Sequence, residues 1–256
     1  MKTIEGIIRP IKGKRDPQVG PDALMVMTPA ELKYLVLSAG AEEVPFTDSS
    51  LYHLYQTNGL SGQITLTGPF IGAPHAVIAM EKIIALGAKR IWVLGWCGSL
   101  QDGLKVGDLI IPVSAVSEEG TSQHYPIPNR VPESDSGLNR ILETSLKRLS
   151  LPFTKGAVWT TDAIYRETTE KVISYQTEGV LAVEMEISAL MTVAIYRSVA
   201  LAALLVVSDE LSDLTWRPGF SVPLLRKSSR QAGDLLLNLA RTSHKYPEDA
   251  LFPTEN

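Results

Sequence analysis

Residues 64–94 read ITLTGPFIGAPHAVIAMEKIIALGAKRIWVL, and this stretch decides the fold. A short apolar run over 64–67 predicts a strand. The loop GPFIGA follows over 68–73. Pro74 then opens a helix that carries Val77, Met80, Ile83 and Ile84 on one face, and Gly87 stops it. Residues 89–94 form a second apolar run, which reads as a buried strand. Strand, glycine loop, helix and strand make a parallel crossover unit.

The same alternation continues on both sides. Upstream, ALMVM at 23–27 predicts a strand. Thr28 and Pro29 start a helix over 29–39, Glu31 completes a capping box with Thr28, and Gly40 ends it. Downstream, strands are predicted at 109–113, 155–161, 180–183 and 199–207. The last is the most apolar and is expected at the centre of the sheet. Helical spacing marks Leu138, Ile141, Leu142, Leu146 and Leu149, then Ile187, Leu190, Met191 and Ala194, then Ala232, Leu235, Leu236 and Leu239. The expected fold is α/β: one domain over 23–256, with a mostly parallel sheet covered by helices on both faces. Residues 1–22, rich in Gly, Pro and basic side chains, read as an irregular arm.

Composition narrows the function classes. The 256 residues carry 24 Lys plus Arg against 28 Asp plus Glu, a net charge of -4. A dedicated nucleic-acid binder carries a basic surplus instead. The 45% hydrophobic content supports a large core. One cysteine, Cys97, excludes an intrachain disulfide and a cysteine-rich zinc site. His53, His75, His124 and His244 have no zinc-ligand spacing, so no metal is expected. The apolar run at 199–207 falls short of a membrane span, and the first residues lack the apolar core of a secretory signal. A soluble, cytoplasmic protein with no nucleic-acid or membrane partner is expected.

In such sheets ligands sit beyond the carboxyl ends of the strands. Five segments end there: Thr67-Gly68, Gly95-Trp96-Cys97-Gly98-Ser99, Thr160-Thr161-Asp162, Glu184-Met185-Glu186 and Ser208-Asp209-Glu210. Alternate residues of an extended chain point the same way, so Glu184 and Glu186 can enter one pocket and accept hydrogen bonds from a diol. Alternatively, one of them caps the following helix. Asp209 follows a deeply apolar strand, where desolvation raises a carboxyl pKa and suits it to give up a proton. It can equally be an N-cap. Gly68 and Gly72 allow close backbone approach to a ligand. Cys97 reads as a nucleophile beside His124 or as a small packed hydrophobe. Gly95 and Gly98 lack the rest of a dinucleotide fingerprint. Residues 120–125, GTSQHY, read as a loop over the site or a solvated turn.

Taken in order, the pieces TG, GAPHAVIAMEKIIALGAKRIWVLGWCGSL, LKVGDLIIP, EEGTSQHY, TTDAIY, VEMEISAL and VVSDE resemble the nucleoside phosphorylase I superfamily. That group comprises uridine phosphorylases, purine nucleoside phosphorylases and methylthioadenosine nucleosidases. The match runs over 23–239. It implies a three-layer α/β/α fold in a homo-oligomer, dimer-based and up to a hexamer, whose active sites are often completed by a neighbour. It implies a nucleoside substrate, inorganic phosphate as co-substrate and no other cofactor. By the same resemblance Glu186 binds the ribose hydroxyls, Met185 packs on the sugar and Glu184 lies alongside. Asp209, with Ser208 beside it, handles a purine base. Ile164 stands where many members stack an aromatic, Asp162 holds that strand end, and His124 falls where a loop residue nears the site. Gly68, Gly95, Trp96, Cys97 and Gly98 border the ligand.

The phosphate-binding positions depart from the family pattern. Members that use phosphate carry a Gly-Asp-Pro turn followed by arginine, where this chain has Met27-Thr28-Pro29-Ala30-Glu31. A second arginine and a small hydroxyl are replaced by Val93 and Trp96. Arg9, Lys12, Lys14, Arg15, Arg166 and Arg217 are candidate substitutes. Water as nucleophile, or nucleoside binding without cleavage, are the alternatives. Asp209 points to a purine, and the Gln–Arg pair that reads uracil has no counterpart near Thr168 and Glu170.

Overall fold

A computed structural model describes residues 6–47, 50–57 and 63–242; His244 lies outside them. The first strand, β1 (Asp22–Val26), is buried along its whole length. Thr28 then caps α1 (Pro29–Ala39), which ends on Gly40 in the left-handed region at φ 62°. The expected capping box forms differently: the Thr28 hydroxyl donates to the Glu31 carboxylate at 2.5 Å rather than accepting a backbone N–H. β2 (Ala41–Glu43) and β3 (His53–Thr57) form an antiparallel ribbon beside β4 (Thr65–Gly68). Helix α2 (Ala73–Leu86) and β5 (Arg90–Ser99) complete the crossover expected from residues 64–94.

The second half repeats the theme. β6 (Leu109–Glu118), α3 (Ser136–Arg148), β7 (Phe153–Thr161), α4 (Thr169–Thr177) and β8 (Ala182–Glu184) come first. Then follow α5 (Ile187–Arg197), β9 (Ala200–Glu210), β10 (Arg217–Pro218) and α6 (Pro223–Thr242). The strand order is β10-β9-β6-β7-β8-β5-β1-β4-β3-β2, and β9 also pairs with β5. That extra pairing closes β9, β6, β7, β8 and β5 into a ring. The sheet is mixed, with its longest pairings parallel. The β1–β4, β1–β5, β5–β9, β6–β7 and β7–β8 pairings are parallel, and β2–β3, β3–β4, β5–β8, β6–β9 and β9–β10 are antiparallel. Antiparallel pairing enters at the two edges and where β8 meets β5 and β6 meets β9.

Two cores lie on the two faces. Alternation along β9 sends Leu201, Ala203 and Leu205 to one face, where Met80 and Ile83 of α2 and Leu190 of α5 cover them. Ala202, Leu204 and Val206 go to the other, under Leu35 of α1, Leu142 of α3 and Leu236 of α6. This is a three-layer arrangement.

The arm is anchored. Asp16 is buried and accepts hydrogen bonds from Lys82 at 2.7 Å, from the Gly13 N–H at 2.8 Å and from Thr47. Burial alone would raise its carboxyl, but Lys82 and these donors hold it well below the usual carboxylate range. At the base of β1, Asp22 takes a two-pronged bond from Arg90 at 2.9 and 2.6 Å.

Candidate active site

The carboxyl ends of β5, β8 and β9 meet around a cavity of about 860 Å³. Its size falls within the range of ordinary small-molecule sites. Glu184, Met185, Glu186, Ser208, Asp209, Trp96, Cys97, Gly98 and Ile164 all line it. The structure thus brings together most of the positions singled out from sequence.

A bulge shapes the base of the site. The β5–β9 register pairs Cys97 with Val207 but Gly98 with Asp209, so Ser208 is the extra residue. A bulge bends a strand and re-aims its side chains. Here Ser208 donates to the Asp209 carboxylate at 2.6 Å, and Trp216 Nε1 donates to its other oxygen at 2.9 Å. Asp209 is half-buried. Gly98 leaves the space it needs: a Cβ there would come within 3.0 Å of Asp209 Oδ2 and 2.6 Å of Leu211 Cδ1.

The two glutamates divide the roles that the sequence left open. Glu184 is buried and accepts from the N–H groups of Glu186 at 2.6 Å and Ile187 at 2.7 Å, and from the Thr160 hydroxyl. It is the cap of α5, satisfying donors that the helix leaves unpaired. Glu186, also buried, accepts from the Gly72 N–H at 2.5 Å, at the start of α2. One carboxylate thus fixes the helix while the other joins α2 to α5 at the cavity wall. Burial pushes both carboxyls up: Glu186 adds to the rise at Glu184, and Asp162 to that at Glu186, against the hydrogen bonds both accept.

Four expected positions lie outside the cavity lining. Gly68 serves packing: at φ 148° its Cβ would lie 2.1 Å from the Val26 carbonyl oxygen. Gly95 does likewise, facing Leu205 and Met27. Asp162 accepts from the Gly120 N–H at 2.9 Å and is exposed at the end of β7. His124 sits on a 3-10 turn, Ser122–His124, facing a second cavity of about 630 Å³ with Tyr125 and Arg197. Its loop is held there by the buried Glu119, which accepts from the N–H groups of Thr121 and Ser122 and from the hydroxyls of Ser117 and Ser188. Cys97 is a packed hydrophobe: burial, then the charges of Asp209 and Glu184, push its thiol well above the ordinary range.

Sequence reasoning missed several lining residues, among them Glu167, Tyr165, Trp216, Phe220 and His75. Glu167 follows the 3-10 turn Ile164–Arg166. Burial, and secondarily the charge of Asp209, raise its carboxyl to about 7. Trp96, Phe220 and Trp216 form an aromatic wall, with Trp96 and Phe220 stacked at 6.1 Å between ring centroids. Trp96 Nε1 donates to Ser229 Oγ at 3.0 Å, which anchors that wall to α6. Among the described residues lining the cavity, the acidic groups are Glu167, Glu184, Glu186 and Asp209, and none is Lys or Arg. Of the cations considered from sequence, Arg9 lines the second cavity, and Arg217 pairs with Asp213. Among the described residues no cluster of three or more His, Cys, Asp and Glu suits a metal ion, and no helix is long and apolar enough to cross a membrane.

Comparison with known proteins gives a consistent answer. A purine nucleoside phosphorylase DeoD-type from an Exiguobacterium species is 26% identical over 209 residues, covering 78% of this chain and 85% of that protein. A guanosine phosphorylase from Halorubrum lacusprofundi is 29% identical over 152 residues, 58% of this chain and 61% of that one, so the chain spans about three fifths of its length. Two solved structures share the fold at 22% identity. Uridine phosphorylase from Vibrio fischeri gives a TM-score of 0.79, covering 96% of this chain and 100% of that one. The purine nucleoside phosphorylase of Toxoplasma gondii in complex with immucillin-H gives 0.80, covering 95% and 100%. The phosphorylase superfamily model matches residues 21–240, from the first strand through the last helix and across every strand that frames the acidic cavity, and the chain belongs to that superfamily.

Proposed function

We propose that the protein cleaves the N-glycosidic bond of a purine nucleoside and passes the ribose to inorganic phosphate, releasing free base and ribose 1-phosphate. The observation that carries this reading is the single cavity that holds Glu186 beside α2 and Asp209 on the β9 bulge. Bond cleavage builds positive charge on the sugar ring and negative charge on the departing base. A carboxylate gripping the ribose hydroxyls stabilises the first. Carboxyl groups at the base end, one of them able to give a proton, neutralise the second. Met185 packs on the sugar, and Glu184 holds the helix end from which Glu186 projects. The names of the relatives support phosphate as acceptor.

One observation favours a second reading, in which water is the nucleophile. Four carboxyls and no Lys or Arg line the cavity among the described residues. Phosphate held without cations forgoes its charge-assisted hydrogen bonds. Cations brought to the cavity by a second copy of the chain would favour phosphate transfer; hydrolysis needs none. The test is a panel of nucleosides incubated with and without phosphate, with ribose and ribose 1-phosphate identified separately. Base release that depends on phosphate supports the first reading. Release without phosphate replaces it by the second, and binding without release rejects both.

A further inference from the structure

The base end of the cavity carries two carboxyls, and they are not equivalent. Asp209 has both oxygens occupied, one by Ser208 and one by Trp216. Glu167 lines the same cavity, half-buried, and among the described residues its carboxyl accepts no hydrogen bond and forms no ion pair. A carboxyl partly withdrawn from water and without donors favours its neutral form. We propose that Glu167 is the acid of this site, handing its proton to the departing base while Asp209 holds the base edge as an acceptor. This rests on the nucleoside-cleaving reading above and departs from the sequence expectation, which gives that proton to Asp209.

The step balances. The C1′–N bond breaks, and its electron pair goes to the base. A base nitrogen takes the Glu167 proton, so the base leaves neutral. The oxygen of phosphate forms the new bond to C1′, or that of water does so while releasing one proton to solvent, and Glu167, left as carboxylate, regains a proton from solvent. The other titratable groups lining the cavity are Asp209 on β9, Glu184 at the end of β8, Glu186 at the start of α5, Cys97 on β5, His75 on α2 and Tyr165 beside it. Burial, and then the charge of Asp209 alone among these groups, raises the Glu167 carboxyl to about 7.

Glu167→Gln tests this with two substrates: a purine nucleoside, and nitrophenyl riboside, whose phenolate leaves without a proton. Purine release should fall by about 100-fold, and nitrophenyl release should stay within about threefold. The alkaline limb of kcat/KM near pH 7 should vanish in Glu167→Gln. In Asp209→Asn the same limb should persist and move to lower pH, since the charge that raises Glu167 is gone. Parallel losses on both substrates, or an alkaline limb unchanged in Glu167→Gln, overturn the proposal and leave the cleavage reading standing. A wild-type enzyme that cleaves neither substrate overturns the cleavage reading, and the proposal with it.

Discussion

Glu186→Gln separates sugar recognition from folding. Glutamine keeps a carbonyl oxygen to accept the Gly72 N–H, now received by Glu186 at 2.5 Å. It loses the charge and turns an amide donor toward the cavity. A hydrogen bond to a charged group is worth about 1.5–3 kcal/mol, so weakening those from two ribose hydroxyls removes about 3 kcal/mol in all. At 1.4 kcal/mol per decade that is about 100-fold in kcat/KM. The assay compares a nucleoside with its 2′,3′-dideoxy analogue on wild type and variant. The ribo-to-dideoxy ratio should drop by about 100-fold. The melting temperature should hold or rise, because Glu184 and Glu186 are like charges buried side by side. An equal loss on both substrates would refute the reasoning, since the variant would then have damaged the site without touching diol recognition.

Three further outcomes follow from the same geometry. Glu167, Glu184 and Glu186 all have native pKa values above their unfolded ones. Their contribution to stability is full below the unfolded carboxyl value and declines as pH rises through the native values. The ligand-free protein should therefore melt higher at about pH 5.5 than at about pH 8 at constant ionic strength, and Glu167→Gln should reduce that difference; a flat profile contradicts it. Gly98→Ala places a Cβ 2.6 Å from Leu211 and 3.0 Å from Asp209 Oδ2. The cost of such overpacking is about 1–3 kcal/mol, and base release should suffer more than stability, read by paired thermal melts and kinetics. Trp216→Phe removes one of the two donors to Asp209 at little cost to an exposed segment, so KM for purine nucleosides should rise severalfold while the fold is unchanged by circular dichroism.

Much of the fold was legible because its elements are strongly patterned. Residues 64–94 form the crossover as read, and the run at 199–207 is a central strand that touches β5, β6 and β10. Sheet closure was not legible, because the pairing of β9 with both β5 and β6 depends on long-range register rather than on local pattern. β3, with His53 and Gln56 among its five residues, carries too weak an apolar signal to read as a strand. Helix α4 buries only Val172, so its pattern is faint.

The site divides in the same way. VEME and SDE announced their carboxylates, but sequence alone left helix capping and ligand binding as rivals at that pair. The structure gives capping to Glu184 and a cavity-facing position to Glu186. Gly68 and Gly95 looked like ligand glycines because close backbone packing and ligand approach require the same missing Cβ. Glu167 and Trp216 were overlooked because their importance lies in what they face, Asp209, which is 42 residues from Glu167 and, for Trp216, seven residues away across the turn after β9. The one local hint was their loop context, Glu167 just beyond TTDAIY and Trp216 just beyond the SDE strand end.

In the proposed function Glu186 grips a pentose while Asp209 and Glu167 face its base. A crystal structure with a non-cleavable purine nucleoside analogue tests it most directly. The ribose 2′ and 3′ hydroxyls should lie on the Glu186 carboxylate and the heterocycle between Ile164, Asp209 and Glu167. Density in the second cavity beside His124, or a ribose turned away from Glu186, would contradict it.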